Sequence, residues 1–525
     1  MSVSGIQILP ASRRITKLTT LLTRKCEAHP VSGDLLTFGK SSRAFHSERC
    51  FHPVSCAKNR SAADRCFSTQ VFQNQPPSWL FVNRAVGGAY GAQVNLELDL
   101  DDRLSGNLLE KLKSEVKLRE MSLPLDIDEL VKDFREMRVY EKKKRALDAK
   151  RDNIFEEIKL LKEENTSDDK TLKIQNLQEE LNKMKTDRVE LKPFSDLEHK
   201  VMLTALKLPN DLHSSTILQP TEDDLIIREV KGKLDPPDTQ SHVDIAKKFH
   251  LITFSNVGPK AYYLKAELAL AEIELTKAAC AFLQSHCYRL MAGPEFVRTP
   301  IMEGCGRNIH NTDEVLTMLS TSRDVIEPMN HLTGVVLPTF AAYVAKTCIG
   351  SSILPLNMFS CGRCYQNGDL PGLLGAVQST QATLFSCVQK ESLDSHFHQS
   401  VELVWNFLEP LGFPLRMVQI CARDLGREER RRLEVHIYAP SLRQFIPVAH
   451  VSDLSDFVSR RLMVFHNHNH ADFRSASLVH MISGSLVNIT SLLALWVEYS
   501  NTSQELFSLC PLELNSVQSP SCASP

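Results

Sequence analysis

Between residues 126 and 206, apolar side chains recur three or four positions apart or at multiples of that step. The first series runs Leu130, Phe134, Met137, Tyr140, Leu147, Ile154, Ile158 and Leu161. A polar stretch from Glu163 to Asp169 follows, and a second series continues with Ile174, Leu177, Leu181, Met184 and Leu191. This period predicts two amphipathic helices folded back on each other as an antiparallel coiled-coil hairpin. Thr166 or Ser167 is placed to cap the second helix. Lys144 and Arg151 fall on the seam, where an apolar side chain is expected.

Beyond residue 240 the pattern changes. Helices are predicted at His242 to Phe249 and Tyr262 to Gln284. Strands are predicted at Phe296 to Ile301, Met358 to Tyr365, Ala382 to Val388, Leu433 to Tyr438 and Phe445 to Val451. Successive strands with few crossover helices favour an antiparallel sheet flanked by helices, an α+β layout. Ser475 to Val497 carries no Asp, Glu, Lys or Arg and is long enough to span a bilayer. Ser, Thr, Asn and His interrupt it too often for that, so a buried strand, a Gly-containing turn and a buried helix are expected.

The resulting organisation is a leader over 1–69 and an N-terminal segment over 70–125 with no assigned role. A helical arm over 126–206 and a link over 207–239 follow, then a core over 240–515 and a tail over 516–525. The N-terminal segment holds a short charged helix near Leu108 to Leu118.

Composition changes this picture at three points. The chain has 525 residues and a formal net charge of -2, so any nucleic-acid contact must come from a local patch. Lys142, Lys143, Lys144, Arg145, Lys150 and Arg151 form such a patch on the first helix of the arm. It reads either as a solvated face or as a phosphate-contacting surface. Residues 1–33 hold Arg13, Arg14, Lys17, Arg24 and Lys25 against Glu27 alone. An acid-poor, Arg- and Ser-rich leader fits a mitochondrial transit peptide and a matrix location. Arg65-Cys66-Phe67-Ser68 resembles a matrix processing site.

The fourteen cysteines are scattered, which favours reduced thiols over a disulfide scaffold. Cys361-Gly-Arg-Cys364 has redox or zinc spacing but no second pair. His466, His468 and His470 lack a carboxylate or cysteine at sensible spacing, so no metal and no cofactor is expected. Glu428-Glu429-Arg430-Arg431-Arg432 reads as a solvated helix end.

Several segments, in order, resemble seryl-tRNA synthetases of class II. Ala205-Leu206-Lys207-Leu208-Pro209-Asn210 resembles the family's link between arm and catalytic domain. Phe296-Val297-Arg298-Thr299-Pro300 resembles motif 1, which implies a dimer interface at Phe296 and Pro300. Asp424-Leu425-Gly426, with Glu434 to Pro440, resembles the strand pair before the active-site glutamate. Ser452 to Arg461 resembles the Ser-Asn-Cys-x-Asp-Phe-Gln-x-Arg-Arg segment, and His480 fits the strand entering motif 3. The resemblance covers about residues 126 to 515. It implies a class II synthetase-like antiparallel sheet preceded by a coiled-coil tRNA-binding arm.

The family joins serine's carboxylate to the α-phosphate of ATP, which requires arginines on the phosphates and carboxylates for Mg²⁺ and the serine ammonium. At the matching positions this chain departs from the pattern. The serine-recognition Thr-x-Glu aligns with Val335-Val336-Leu337, and the motif 2 Arg-x-Glu with Gln366-Asn367-Gly368. The later Arg, Phe and Glu of that hairpin align with Gly375, Ser379 and Thr383. The glutamate before the second strand pair aligns with Pro447, and the motif 3 arginine with Ser491. Asp369 and Arg363 are the nearest charged residues, and neither stands where the pattern needs it.

The whole pattern resembles the non-catalytic mitochondrial seryl-tRNA synthetase-like group of insects. That resemblance implies a binding or regulatory subunit that pairs with the genuine mitochondrial seryl-tRNA synthetase or with itself. It also implies a tRNA contact through the arm and a contact with a Lon-type matrix protease. The alternative is a divergent but active serine-tRNA ligase.

Overall fold

The computed structural model describes residues 77–81, 96, 98–119, 125–163, 168–189, 192–218, 226–231, 240–258, 260–311, 314–318, 328–467 and 476–500. All fall within one compact unit, Cys66–Pro525. The leader, the tail, Thr166, Ser167, His468 and His470 lie outside the described residues.

Helices α1 (Leu100–Arg103) and α2 (Gly106–Leu118) precede α3 (Ile127–Glu163), α4 (Asp168–Val189) and α5 (Lys192–Ala205). The apolar period explains their packing. Ile154 and Ile158 of α3 are buried against Met184 of α4, with Leu147, Leu177 and Leu181 around them. Nearer the core, Leu130, Phe134 and Met137 pack with Phe194 and Val201 of α5 and with Leu112 of α2. Residues 98–119 therefore share one apolar cluster with the base of the long helices. Lys144 is tolerated at the seam because its ammonium lies 4.9 Å from the centroid of the Phe194 ring, leaving its stem against apolar surface.

The core then runs β1 (Ile226–Val230), α6 (His242–Lys248), β2 (Ile252–Ser255), β3 (Ala261–Leu264), α7 (Ala266–Ser285), β4 (Arg289–Leu290) and β5 (Phe296–Arg298). Next come α8 (Thr299–Gly304), β6 (Leu316–Met318), β7 (Asn330–Leu332), α9 (Leu337–Val344), β8 (Cys348–Gly350) and β9 (Leu356–Tyr365). β10 (Gln378–Val388), α10 (Leu393–Leu408), β11 (Leu415–Gln419), β12 (Arg431–Ala439) and β13 (Gln444–Ser455) follow. The described chain closes with α11 (Phe457–Leu462), β14 (Phe465–Asn467), β15 (Ser477–Leu478), β16 (His480–Asn488) and α12 (Ile489–Tyr499).

Eight strands form the main sheet in the order β1-β11-β12-β13-β16-β10-β9-β4. Its neighbours are antiparallel except β4 and β9, which run parallel. One face of this sheet buries apolar side chains against α7, α10 and α12, with Trp405, Phe397, Leu283 and Leu492 at most 1% exposed. The α+β layout predicted from alternating strands is what the chain adopts.

Three local expectations change. Tyr262 does not begin a helix: Ala261–Leu264 pairs with Ile252–Ser255 as a hairpin, as its two tyrosines favour, and α7 starts only at Ala266. The strand from Phe296 ends at Arg298, because Pro300 sits in the first turn of α8, where its missing N–H costs nothing. Gly484 is not a turn residue but lies inside β16. A Cβ there would meet the His450 carbonyl at 2.2 Å, so glycine is what lets β13 and β16 approach. Among the described residues no helix is long and apolar enough to cross a membrane.

Trp405 is fully buried in this core. Its replacement by Ala should lower stability by about 3–5 kcal/mol, read as a shift in the urea midpoint with an unchanged slope.

Candidate functional site

The other face of the sheet opens into a cleft of about 430 Å³. Strands supply its floor: Gln381 and Thr383 of β10, His450 and Ser452 of β13, and Ser483 of β16. Its walls are Val336 to Pro338, Tyr365 to Asn367, the segment holding Arg307, Asn311 and Glu314, and the pair Glu428 and Glu429.

The wall before α9 is fixed by backbone. Gly334 adopts φ +77°, and a Cβ on it would lie 2.0 Å from the Arg363 carbonyl. Only glycine permits that approach. Gly334 and Thr333 N–H groups donate to the Glu295 carbonyl at 2.8 and 2.9 Å, and Val335 N–H donates to the Arg363 carbonyl at 3.0 Å. This pinning carries Leu337 to the cleft wall but packs Val335 on Gly362.

The substituted positions therefore separate. Leu337 and Gln366 face the cleft. Val335 is 5% exposed beneath it. Gly368 belongs to the β9–β10 connection, close to Gly375. Pro447 is exposed opposite His436 on the neighbouring strand. Ser491 lies in the first turn of α12, where its N–H donates to Asn488 Oδ1 at 3.1 Å. Arg363 turns to the opposite face of the sheet and pairs with Glu272 of α7 at 2.9 Å. Asp369 is exposed and is not part of the cleft lining.

Two sequence expectations are corrected here. Glu428 to Arg432 is not a solvated helix end: Glu428, Glu429 and Arg431 are 3%, 5% and 4% exposed. Nor is the cleft without charge, since Arg307, Glu314, Glu428 and Glu429 all line it. The reason is tertiary. Asn210 donates to the Glu428 carbonyl at 2.8 Å, and Arg119 donates to the Gly426 and Glu429 carbonyls at 2.8 and 2.7 Å. These contacts fold the loop inward, so its carboxylates need internal partners.

They have them. Glu428 meets Arg307 at 3.2 Å. Glu429 accepts from Ser452 Oγ and Gly426 N–H, each at 2.6 Å, and meets Arg432 at 3.1 Å. Burial works against the charged form of Glu429. The Arg432 guanidinium, the Ser452 hydroxyl and the Gly426 N–H nevertheless hold its carboxyl below the usual range. Burial, and then Arg432, push the His450 imidazole below its usual value, leaving it neutral at pH 7. Counting side chains on the wall, one cation, Arg307, stands against three carboxylates, Glu314, Glu428 and Glu429.

The second candidate surface is on α3. Lys142, Lys143, Arg145 and Lys150 are exposed, while Lys144 and Arg151 are half-buried. Arg145 pairs with Glu141 at 2.6 Å, and Arg151 with Asp152 at 2.8 Å and Asp148 at 3.4 Å. Local acids thus offset part of the patch. His466 is buried and bonded to Ser351 Oγ at 3.0 Å, and among the described residues no group of His, Cys, Asp and Glu could hold a metal.

With this geometry in view, comparison with known proteins is specific. The class II tRNA synthetase core domain (G, H, P, S and T) matches residues 326–500. The serine–tRNA synthetase-like protein Slimp of Drosophila melanogaster is 26% identical, over 65% of this chain and 73% of that protein. The mitochondrial serine–tRNA ligase of Mus musculus is 25% identical, over 68% and 71%. The chain is thus similar to seryl-tRNA synthetases and to a synthetase-like relative of theirs. Its fold agrees: seryl-tRNA synthetase from Pyrococcus horikoshii, solved with ATP, superposes with a TM-score of 0.62 at 19% identity, covering 76% of this chain and 93% of that one.

The protein should lose stability, by about 1–3 kcal/mol, when Glu429 is replaced by Ala, because the Ser452 hydroxyl and the Gly426 N–H lose their acceptor and Arg432 keeps only Glu434, at 2.9 Å. The folded-state pKa of Glu429 is depressed. Its contribution is therefore present above the ordinary carboxylate range and is lost as pH falls through the folded value. The stability gap between wild type and variant, measured by urea melts, should narrow steadily below about pH 4.

Proposed function

We propose that this chain is a non-catalytic seryl-tRNA synthetase-like protein of the mitochondrion, acting as a binding or regulatory subunit. In this reading it pairs with a catalytic mitochondrial seryl-tRNA synthetase or with a second copy of itself. It reaches tRNA with α3 and α4 as a coiled-coil arm, and its working site is the matrix, where a Lon-type protease is a further partner.

The observation that carries the proposal is the charge inventory of the cleft. Adenylate formation brings a polyphosphate and a carboxylate together, so the site must offer cations that are free to meet them. Here Arg307, 42% exposed, faces Glu428 at 3.2 Å, and the wall carries an excess of carboxylates. ATP in this cleft would place its phosphates beside Glu428 and Glu429. Every 1.4 kcal/mol of lost transition-state stabilisation costs about tenfold in rate.

Pairing is supported by exposed apolar side chains on α7 and in the segment resembling motif 1. Leu270 and Ile273 of α7 are 62% and 50% exposed, and Phe296 is 52% exposed, with half-buried Pro300 in the next turn. Exposed apolar side chains of this kind suit a protein partner. The leader composition and the mitochondrial relatives support the location.

A second reading, a divergent serine-tRNA ligase, is favoured by one observation: Arg307 does stand in the cleft. The two readings separate in a simple pair of measurements. Purified protein should give no serine-dependent exchange of pyrophosphate into ATP and no heat on titration with ATP-Mg²⁺. Exchange that disappears in R307A would establish the ligase instead. For the arm, replacing Lys142, Lys143, Lys144, Arg145, Lys150 and Arg151 by Ala should weaken tRNA retention at least tenfold at low salt and flatten its salt dependence. Unchanged retention would make the patch a solvated helix face.

A further inference from the structure

The Cys361-Gly-Arg-Cys364 spacing suggests a dithiol, but the strand geometry divides it. Side chains three residues apart on a strand point to opposite faces. Cys364 lines the cleft, whereas Cys361 meets α7 on the other side of the sheet, where the Cys280 thiol donates to Cys361 Sγ at 3.2 Å. Both thiols are free and half-buried. Cys364 is 2% exposed.

The pairing is not an isolated coincidence of two side chains. Glu272 lies two turns before Cys280 on the same face of α7, and Arg363 lies two residues after Cys361 on the same face of β9. Those two side chains form an ion pair at 2.9 Å. An ion pair and a thiol pair therefore connect the same helix to the same strand. A disulfide needs sulfurs about 2.05 Å apart, so closing the pair calls for about 1 Å of movement, within reach of side-chain torsions.

We propose that Cys280 and Cys361 are a reversible redox pair whose oxidant is a low-molecular-weight disulfide. The Cys280 thiolate attacks one sulfur of that disulfide, forming a mixed disulfide and releasing one small thiolate. The Cys361 thiolate then attacks Cys280 Sγ, closing the internal bond and releasing the second small thiolate. The protein loses two electrons and two protons, and the small disulfide becomes two thiols that take them up. Burial raises the Cys361 thiol well above its usual range. Closure therefore accelerates as pH rises and the Cys361 thiolate forms.

Oxidation would tie α7 to β9 covalently. Leu270 and Ile273 are exposed on that helix, so the state of the thiol pair sets how rigidly this apolar surface is presented. The inference does not rest on what the cleft binds.

The test uses the purified full chain, treated with oxidised glutathione at pH 8, then alkylated and digested for mass spectrometry without reduction. The expected result is a linked peptide pair containing Cys280 and Cys361. It should be absent from C280S and from C361S, and be reversed by dithiothreitol. Amide exchange in α7 should slow on oxidation and recover on reduction. Free, alkylated Cys280 and Cys361, glutathione adducts without an internal link, or a Cys361–Cys364 link would each overturn it. If a serine variant fails to fold, the wild-type map alone decides between these outcomes.

Discussion

Burying charge is tolerable only where the charge is paired, and in this molecule that constraint converges on the loop from Gly426 to Arg430. Arg119, at the end of α2, donates to the carbonyls of Gly426, Glu429 and Asn210. Asn210, after α5, donates to the carbonyls of Glu428 and Leu454. Arg430 N–H donates to the Asp453 carbonyl of β13 at 2.8 Å. One short stretch of backbone thereby joins the N-terminal helices, the base of the long helices and the central sheet. Its two carboxylates are carried inward, and Arg307, Arg432 and Ser452 offset the desolvation that follows.

That arrangement has a chemical consequence. A cleft lined by one cation, Arg307, and by three carboxylates presents little positive potential to an incoming anion. An anion that met Arg307 would also meet the buried Glu428 carboxylate 3.2 Å from it, an added cost. A fold can keep the sheet, the floor and the walls of a cleft while the charges that line it differ. Retaining a scaffold and retaining an activity are different demands on a sequence.

Legibility divides along the same line. The long apolar series at Leu130 to Leu161 foretold α3, and the alternating segments foretold β9, β10, β12 and β13, because periodicity is local information. Leu337 and Gln366 were placed at the cleft by their flanking segments. The pairing of Arg307 with Glu428 could not be read, since it joins residues far apart in the chain through a fold. Glu428 to Arg432 looked like a solvated run because charge density alone says nothing about burial. One signal was available: Asp424-Leu425-Gly426 stands just before a strand entering the central sheet, so charges immediately after it had little room to remain outside. The Cys361–Cys364 spacing implies proximity only where the chain turns, and β9 is extended there.

Helix α7 shows how such local and distant constraints combine. Its inner face is fixed by Leu268, Leu275, Ala279 and Leu283 in the core, and its flank by Glu272 on Arg363 and Cys280 on Cys361. Its outer face leaves Leu270 and Ile273 to solvent. A helix with an apolar stripe on both sides is consistent with burial on one side and association on the other. The ion pair and the thiol pair act on the flank between the two, so they leave the core packing unaltered while setting how freely the outer stripe moves. An apolar surface mounted on a helix held in this way responds to changes at a single strand, without any ligand in the cleft.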